Sequence, residues 1–554
     1  MSEKTSNPFN DKIYGKDWHA WSDPDLPESV NPIQLLLDRH LDSPLQTKPA
    51  VIVDNVATSY RELAQLVRRA SCNLAAADLR TGERLLLFGT DSLDYVVTWL
   101  AAIRIGVVPA VVSDLHKSKD LLYFIRDTAA RALFIDVEQI EKLLETAPRL
   151  PASLKTIILR GDTTDVVADR ISGRRVVPFT AIRDGDAGDV DAHAHHPDDV
   201  AYMFYSGGTT GTSKGITHLA HDFYLVPERH GHYWEYLESD VVFATSKKYF
   251  THGIWPGVLI SLYWGATAVL IRQPAQPAAV LDVLARHRVT KLITVPTVIK
   301  NLLEYVSAKQ EKPSFPNLKL VISASEKIPP ETFERFQSAF GLEILDSIGS
   351  SEITYEWIAN RPREFKRGSL GKPVFGCEVR LVDANGNDVT EPNVPGEAWI
   401  RSRTACFYYW RKYDRSRETF IGKWARTGDN LYFDEDGFFW FSGRQNDVFK
   451  VAGLWVSPIE IEAALTRHAA VKEAAVISFE DNAGLTKPKA FVVLRDGYQG
   501  TDALVDELRA EVRLLGGYKV PASFEFCTDL PRTPLQKIDR RALRELDRAA
   551  VSKI

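Results

Sequence analysis

Through the first three quarters of the chain, short apolar runs rich in β-branched residues alternate with helix-like stretches. The runs at residues 133–137, 156–159, 241–245, 268–271, 291–295 and 319–323 read as strands, and 278–289 is an example of the helical pattern between them. This alternation predicts α/β layers with largely parallel strands. The longest apolar stretch, 96–112, contains Arg104 and Pro109. A membrane span needs about 18 or more apolar residues with few charges, so the stretch reads as a buried helix followed by a buried strand. No internal repeat of 20 to 50 residues is evident.

The last part of the chain has a different rhythm. Residues 456–466 read as a helix, with strands near 474–478 and 490–494. A second helix carries Leu504, Leu508, Val512 and Leu515 at steps of three and four, and Gly516-Gly517 stops it. Ser457-Pro458 followed by Glu460 is a helix start, with Ser457 as cap and Pro458 at the first position. The expected organisation is a large unit over 1–444 and a small α+β unit over 445–554, joined by the polar segment 443–447.

Composition narrows the class only a little. Hydrophobic residues at 45% and charged residues at 25% are ordinary for a soluble globular protein. Lys plus Arg number 68 against 73 Asp plus Glu, a net charge of −5 that argues against a general nucleic-acid binder. Cys72, Cys377, Cys406 and Cys527 are far apart and lack zinc spacing, which predicts reduced thiols and a cytoplasmic protein. Residues 1–18 are polar and charged and do not read as a secretory signal, and no membrane association is expected.

Candidate chemistry begins at Tyr205-Ser206-Gly207-Gly208-Thr209-Thr210-Gly211-Thr212-Ser213-Lys214-Gly215, which follows a strand-like run at 200–205. Glycines let a backbone approach phosphate and turn its amides inward. Ser206, Thr209, Thr210 and Thr212 add hydroxyl donors, and Lys214 adds positive charge. The loop is not a Walker A motif, because Ser213 precedes Lys214 and Gly215 follows it. Taken alone, the same composition also fits a surface loop.

Further segments, in order along the chain, resemble the acyl-adenylating enzymes: acyl-CoA synthetases, luciferases and peptide-synthetase adenylation domains. They are Ser323-Ala324-Ser325-Glu326-Lys327-Ile328-Pro329, Asp346-Ser347-Ile348-Gly349-Ser350-Ser351-Glu352, Trp424 to Asp429, Phe441 to Lys450, Val451 to Glu462, and Pro531 to Ile538. The resemblance covers about residues 35–545 and is nearest to the benzoate-CoA ligase group. It implies a large N-terminal domain of layered sheets and helices with a small mobile α+β C-terminal domain.

It also implies roles for particular residues. Ala324, Ser325 and Glu326 would line the adenine pocket, with Ser325 and Lys327 replacing more usual small residues. Asp346, Ser347, Ile348 and Gly349 would border the nucleotide, and Ser351 would meet phosphate. Glu352 would hold magnesium together with Thr210, since ATP and a carboxylate repel each other unless a metal bridges the phosphate oxygens. Asp429 would accept from the ribose hydroxyls, and Arg444 would contact ribose or phosphate. Asn446 stands at a hinge usually held by Asp or Lys. Lys450, Val451, Gly453, Leu454 and Trp455 would border the pantetheine thiol. Lys537 would hold the attacking carboxylate and offset charge at phosphorus, with Gln536 where Gly is usual.

The acyl pocket would be formed by Tyr249, Phe250, Thr251, His252 and Gly253, with Ala324 and the residues after Glu352, namely Ile353, Thr354, Tyr355 and Glu356, opposite. Phe250 and Gly253 would suit a flat ring, and His252 and Thr251 would add polarity. The implied activity is ATP-dependent conversion of a substituted aromatic acid to acyl-AMP and then to a coenzyme A thioester. The implied requirements are ATP, Mg2+ and coenzyme A, in a possible homodimer. Transfer to a carrier-protein thiol or an amine, and a non-catalytic nucleotide-binding role, remain open alternatives.

Overall fold

The structure is a computed structural model. It describes residues 10–15, 17–161, 164–171, 173–206, 213–310, 313–326, 328–444, 449–451, 454–481, 485–533 and 538–551.

The apolar runs become the strands of two large sheets. One has nine strands, with Ile344–Gly349, Leu320–Ser323, Lys291–Thr294, Val241–Ala244, Thr267–Leu270 and Pro49–Val53 neighbouring in that order and parallel. The other has eight, with Val200–Ser206, Val108–Val111, Arg84–Phe88, Ala132–Asp136, Thr156–Arg160 and Arg175–Pro178 parallel. Each sheet is buried on both faces, so its strands carry continuous apolar runs. Alternate side chains supply different cores: Leu85 and Leu87 face the central core, while Leu86 and Phe88 face an outer one. Likewise Val242 and Ile293 face the centre, and Phe243 and Leu292 the opposite outer core.

The helix Leu93–Arg104 lies in the central core, and every residue from Tyr95 to Ile103 is buried. That position explains its apolar sequence, and the strand Val108–Val111 follows it as expected. Among the described residues, no helix is long and apolar enough to cross a membrane.

A third, antiparallel sheet was not separated in the sequence. It orders Asp388–Val389, Cys377–Val382, Gly396–Ser402, Trp424–Phe433 and Phe420–Ile421, with Phe439–Arg444 also on Trp424–Phe433. It encloses its own core with Tyr14, Ile353 and Trp357. A three-stranded sheet, Val471–Glu480, Thr486–Leu494 and Ser523–Cys527, packs on the helices Pro458–Thr466 and Asp502–Arg513 around a separate core. The fold is thus a large α/β domain followed by a smaller α+β domain.

One helix cap differs from expectation. Ser457 stands at the N-cap and Pro458 at the first position, but the Ser457 hydroxyl is buried with no partner among the described residues. The Glu460 amide donates instead to the Ser457 carbonyl, and Lys519 holds the Glu460 carboxylate.

Arg229 fastens the layers together. This buried guanidinium, on the helix Asp222–Tyr233, donates to Asp23 Oδ1 (2.7 Å) and Oδ2 (2.5 Å) and to Ser402 Oγ (2.8 Å). Burial pushes the Asp23 carboxyl up, but Arg229 outweighs it and holds the group below the usual carboxylate range. A depressed pKa contributes stability that is present above the unfolded value and lost as pH falls through the folded one. Asp23→Ala should therefore cost about 3 kcal/mol at neutral pH by stranding a buried charge. Urea midpoints of the two proteins should differ widely at pH 7 and converge toward pH 3.

Candidate functional site

The C-terminal ends of the parallel strands are where ligands sit in open α/β sheets. Here they bring several of the expected residues together. Ser206 and Lys214 are paired in register at the ends of the antiparallel strands Val200–Ser206 and Lys214–Leu219. The connection between them, with Gly207, Gly208, Thr209, Thr210, Gly211 and Thr212, lies outside the described residues. Its exit is clamped, because the Tyr123 hydroxyl donates to the Ser213 carbonyl (2.6 Å).

Lys214 and Glu352 meet through Tyr409, a residue the sequence reading missed. The Tyr409 hydroxyl donates to Glu352 Oε1 (2.8 Å), and Lys214 Nζ donates to that hydroxyl (3.2 Å). Nζ also lies 4.3 Å from the Tyr409 ring centroid and 3.8 Å from Glu352 Oε1. Burial, and then the Glu352 charge, push the Tyr409 phenol well above its usual range, so it remains a donor. Tyr409 sits on a two-residue strand that pairs with Lys214–Leu219, and only that pairing brings it to the site.

The backbone of Glu352 is held at three successive carbonyls. His218 Nε2 donates to Ser351 O (2.8 Å), the Cys406 amide to Glu352 O (2.7 Å) and the Thr404 hydroxyl to Ile353 O (3.1 Å). Next comes Thr354 at φ 80° and ψ −50°, a strained conformation for a β-branched residue. Its hydroxyl donates to Thr404 O (2.8 Å) and lies 3.0 Å from His218 Nδ1 and 3.1 Å from Asp222 Oδ2. Tyr202 donates to the same Asp222 oxygen (2.7 Å).

Glu352 is partly exposed, and among the described residues only its Oε1 is engaged. One carboxylate beside a lysine suits magnesium that is bound mainly by phosphates and water. Among the described residues, Glu352 could hold a Mg2+–polyphosphate; Thr210, the other expected metal ligand, lies outside them.

Asp429 and Arg444 are also brought together. They face each other across two antiparallel strands, with Arg444 Nε 3.1 Å from Asp429 Oδ1. Asp429 is buried and Arg444 exposed. Asp346 ends the register with Ser323, and its carbonyl accepts from Asn360. The Ser347 hydroxyl donates to Ser323 O (2.9 Å). Glu326 accepts from the Thr297 hydroxyl (2.9 Å). Ser325 takes φ 81°, in the left-handed region that favours glycine, which gives a physical meaning to the departure from small residues seen there. Ala324 and Ile348 are buried and half-buried.

The acyl-pocket candidates have defined surroundings. His252 does not leave its polarity open: Nε2 donates to Thr294 O (3.0 Å), and Nδ1 faces Glu356 Oε1 (3.0 Å). Gly253 answers to backbone packing rather than to a ring, since a Cβ there would lie 2.1 Å from the Lys247 carbonyl oxygen. Ile353 is committed to the core of the third sheet. Tyr355 is buried against His230, Trp234 and His252. Tyr249 is buried, and Phe250 and Thr251 are half-buried.

Like the Tyr355 hydroxyl, Glu356 Oε2 is buried near His252 with no hydrogen-bond partner among the described residues. It lies over the α-carbon of Gly349, where a Cβ would come within 2.5 Å of it. Glu356 was expected on the wall opposite 249–253, without a role of its own.

In the small domain, Val451 and Lys450 pair with Leu454 and Trp455 in a two-stranded hairpin. Its turn, with Gly453, lies outside the described residues, as do Asn446, Lys537 and Lys327. Burial pushes the Cys406 thiol up to about 12, so it is not a nucleophile at neutral pH.

Comparisons with known proteins agree with an enzyme that joins an acid to a nucleotide. The family described as "AMP-binding enzyme" matches residues 39–410, and "AMP-binding enzyme C-terminal domain" matches 460–537. The benzoate–CoA ligase of Thauera aromatica is 35% identical over 522 residues, covering 94% of this chain and 96% of that protein. A 4-hydroxybenzoate–CoA/benzoate–CoA ligase of Rhodopseudomonas palustris is 35% identical, covering 92% and 93%. A crystal structure of an anthranilate CoA ligase with anthranoyl-AMP superposes with TM-score 0.86 at 32% identity, covering 95% of this chain and 99% of that one. The chain belongs to the AMP-binding, acyl-adenylating enzyme family and, within it, to the benzoate–CoA ligase group.

Tyr409→Phe removes two hydrogen bonds to charged groups, the donation to Glu352 and the acceptance from Lys214, of which the shorter one to Glu352 is worth about 1.5–3 kcal/mol. The ATP concentration for half-maximal pyrophosphate release should rise about 10-fold at fixed magnesium. An unchanged ATP dependence would remove Tyr409 from the site.

Proposed function

We propose that this protein converts a benzoate-like, substituted aromatic carboxylic acid to its acyl-adenylate with ATP and then to a coenzyme A thioester. The observation that carries the reading is the convergence of Lys214, Tyr409 and Glu352 at the C-terminal end of the strand Val200–Ser206, with Asp429 and Arg444 paired in the third sheet and His252 facing Glu356. The relatives named for benzoate, hydroxybenzoate and anthranilate support the aromatic substrate.

In the first half-reaction a carboxylate oxygen attacks the α-phosphorus of ATP, and the bond to the bridging oxygen breaks to release pyrophosphate. Lys214 and the loop 207–212 hold the β and γ phosphates. Glu352 holds Mg2+, which when bound offsets the phosphate charge. Asp429 accepts from the ribose hydroxyls once Arg444 yields it. Lys537 steadies the incoming carboxylate against charge building at phosphorus. In the second half-reaction the coenzyme A sulfur attacks the acyl carbonyl, the bond to the AMP phosphate breaks, AMP leaves and the thiol proton passes to solvent. Rotation of 445–554 about Asn446 withdraws Lys537 and brings up the hairpin around Gly453, so one site serves both steps.

The Glu356 carboxylate refines the choice of acid. A buried acceptor without a donor is costly, and a ring bearing a hydroxyl or N–H group supplies one. Hydroxy- and amino-substituted benzoates are therefore favoured over plain benzoate.

Pyrophosphate release across aryl, cycloalkyl and fatty acids, with and without coenzyme A, tests this reading. Aromatic acids should give release and an acyl-CoA product, and Lys537→Ala should slow release by about 10²-fold or more. Release without acyl-CoA would point to another acceptor, and no release with any acid would defeat the proposal.

A further inference from the structure

A second constellation lies at the opposite edge of the eight-stranded sheet. A cleft of about 390 Å³ opens beside Val108 and Val200, the first residues of two neighbouring parallel strands. The ligand-binding edge described above lies at the other end of these strands. His193, His195 and Asp199 line the cleft, with one ligand atom from each within 4.8 Å of the others.

Local geometry explains the grouping. His193 and His195 stand two residues apart on an extended segment, so their rings share one side, and their centroids are 4.6 Å apart. The segment is tied down along its length. His193 N donates to Arg104 O, the Asn31 side chain donates to His193 O, and His195 bridges Val30. Asp199 turns back beneath them, donating from its own amide to His196 O and accepting from His196 N through Oδ2 (2.9 Å).

The remaining lone pairs suit a cation. His195 Nε2 lies 2.9 Å from the Ile103 carbonyl. A carbonyl only accepts, so Nε2 carries the proton and Nδ1 keeps its lone pair. A backbone carbonyl behind the imidazole is the usual outer partner of a metal-bound histidine. Among the described residues, no hydrogen bond engages His195 Nδ1, the His193 ring nitrogens or Asp199 Oδ1.

We propose that His193, His195 and Asp199 form a site for a divalent transition-metal ion, with Zn2+ the best fit. Two imidazoles and one carboxylate match its preference, and the all-oxygen shells of Mg2+ and Ca2+ do not. Tetrahedral Zn2+ holds its ligands about 3.4 Å apart, so torsions of the half-exposed His193 and Asp199 close the set around a buried, fixed His195. A bound ion would clamp the crossing segment to the start of Val200–Ser206, the strand that leads into the phosphate loop.

The test uses the full-length protein without a histidine tag. Zn2+ is titrated in competition with a chromophoric chelator, and melting temperature is followed in parallel. Wild type should bind one equivalent and melt higher with Zn2+. His193→Ala and Asp199→Asn, both at half-exposed positions, should each weaken binding at least about 10-fold and lose the melting shift. Both variants should keep pyrophosphate release. Binding of less than one equivalent by wild type would overturn the site, and so would equal affinity in the two variants. Neither result depends on which acid the enzyme activates.

Discussion

Three consecutive carbonyls, those of Ser351, Glu352 and Ile353, accept from two distant parts of the chain: His218 on one side, and Thr404 and Cys406 on the other. Everything proposed for the nucleotide end of the site depends on that constraint. A glutamate in a loop is ordinarily free to turn into solvent. Here its backbone is fixed on each side, and its carboxylate meets the Tyr409 hydroxyl and Lys214. Preorganisation of this kind spares a reacting site the cost of rearrangement.

The same junction joins the three large sheets. His218 belongs to the eight-stranded sheet, Thr354 lies two residues before a strand of the nine-stranded sheet, and Thr404 two residues after a strand of the antiparallel one. Asp222 is buried among them and gathers Tyr202, His218 and Thr354 on one oxygen. A positive φ at a threonine costs of order 1–3 kcal/mol and persists only where its surroundings over-determine it. Three polar neighbours within 3.1 Å of its hydroxyl do so here. Strain at Thr354 thus goes with the fixed aim of Glu352 on one side and of Tyr355 and Glu356 on the other.

Much of the fold was legible, because strands buried on both faces leave unbroken apolar runs, as at 291–295 and 319–323. The antiparallel sheet was not. Its strands alternate, as in the buried and half-buried positions of Cys377–Val382, and so lack unbroken apolar runs. At the site, Lys214 and Glu352 stood out by their glycine and hydroxyl neighbours. Tyr409 carried no local signal, since its role comes from strand pairing across 195 residues. His252 was visible as a polar residue in the acyl segment. Its partner Glu356 is 104 residues away, and only the fold reveals that the histidine's nitrogens are already spent and that a carboxylate oxygen is the open group.

The most direct measurement of the junction's role is the magnesium dependence of acid-stimulated pyrophosphate release in Thr354→Val. This change keeps the branched shape and removes only the hydroxyl. If the junction aims Glu352, half-saturating magnesium should rise about 10-fold, the equivalent of one lost buried hydrogen bond of about 1.4 kcal/mol, while circular dichroism stays that of the wild type. A folded variant with wild-type magnesium dependence would show that Glu352 is positioned by something else.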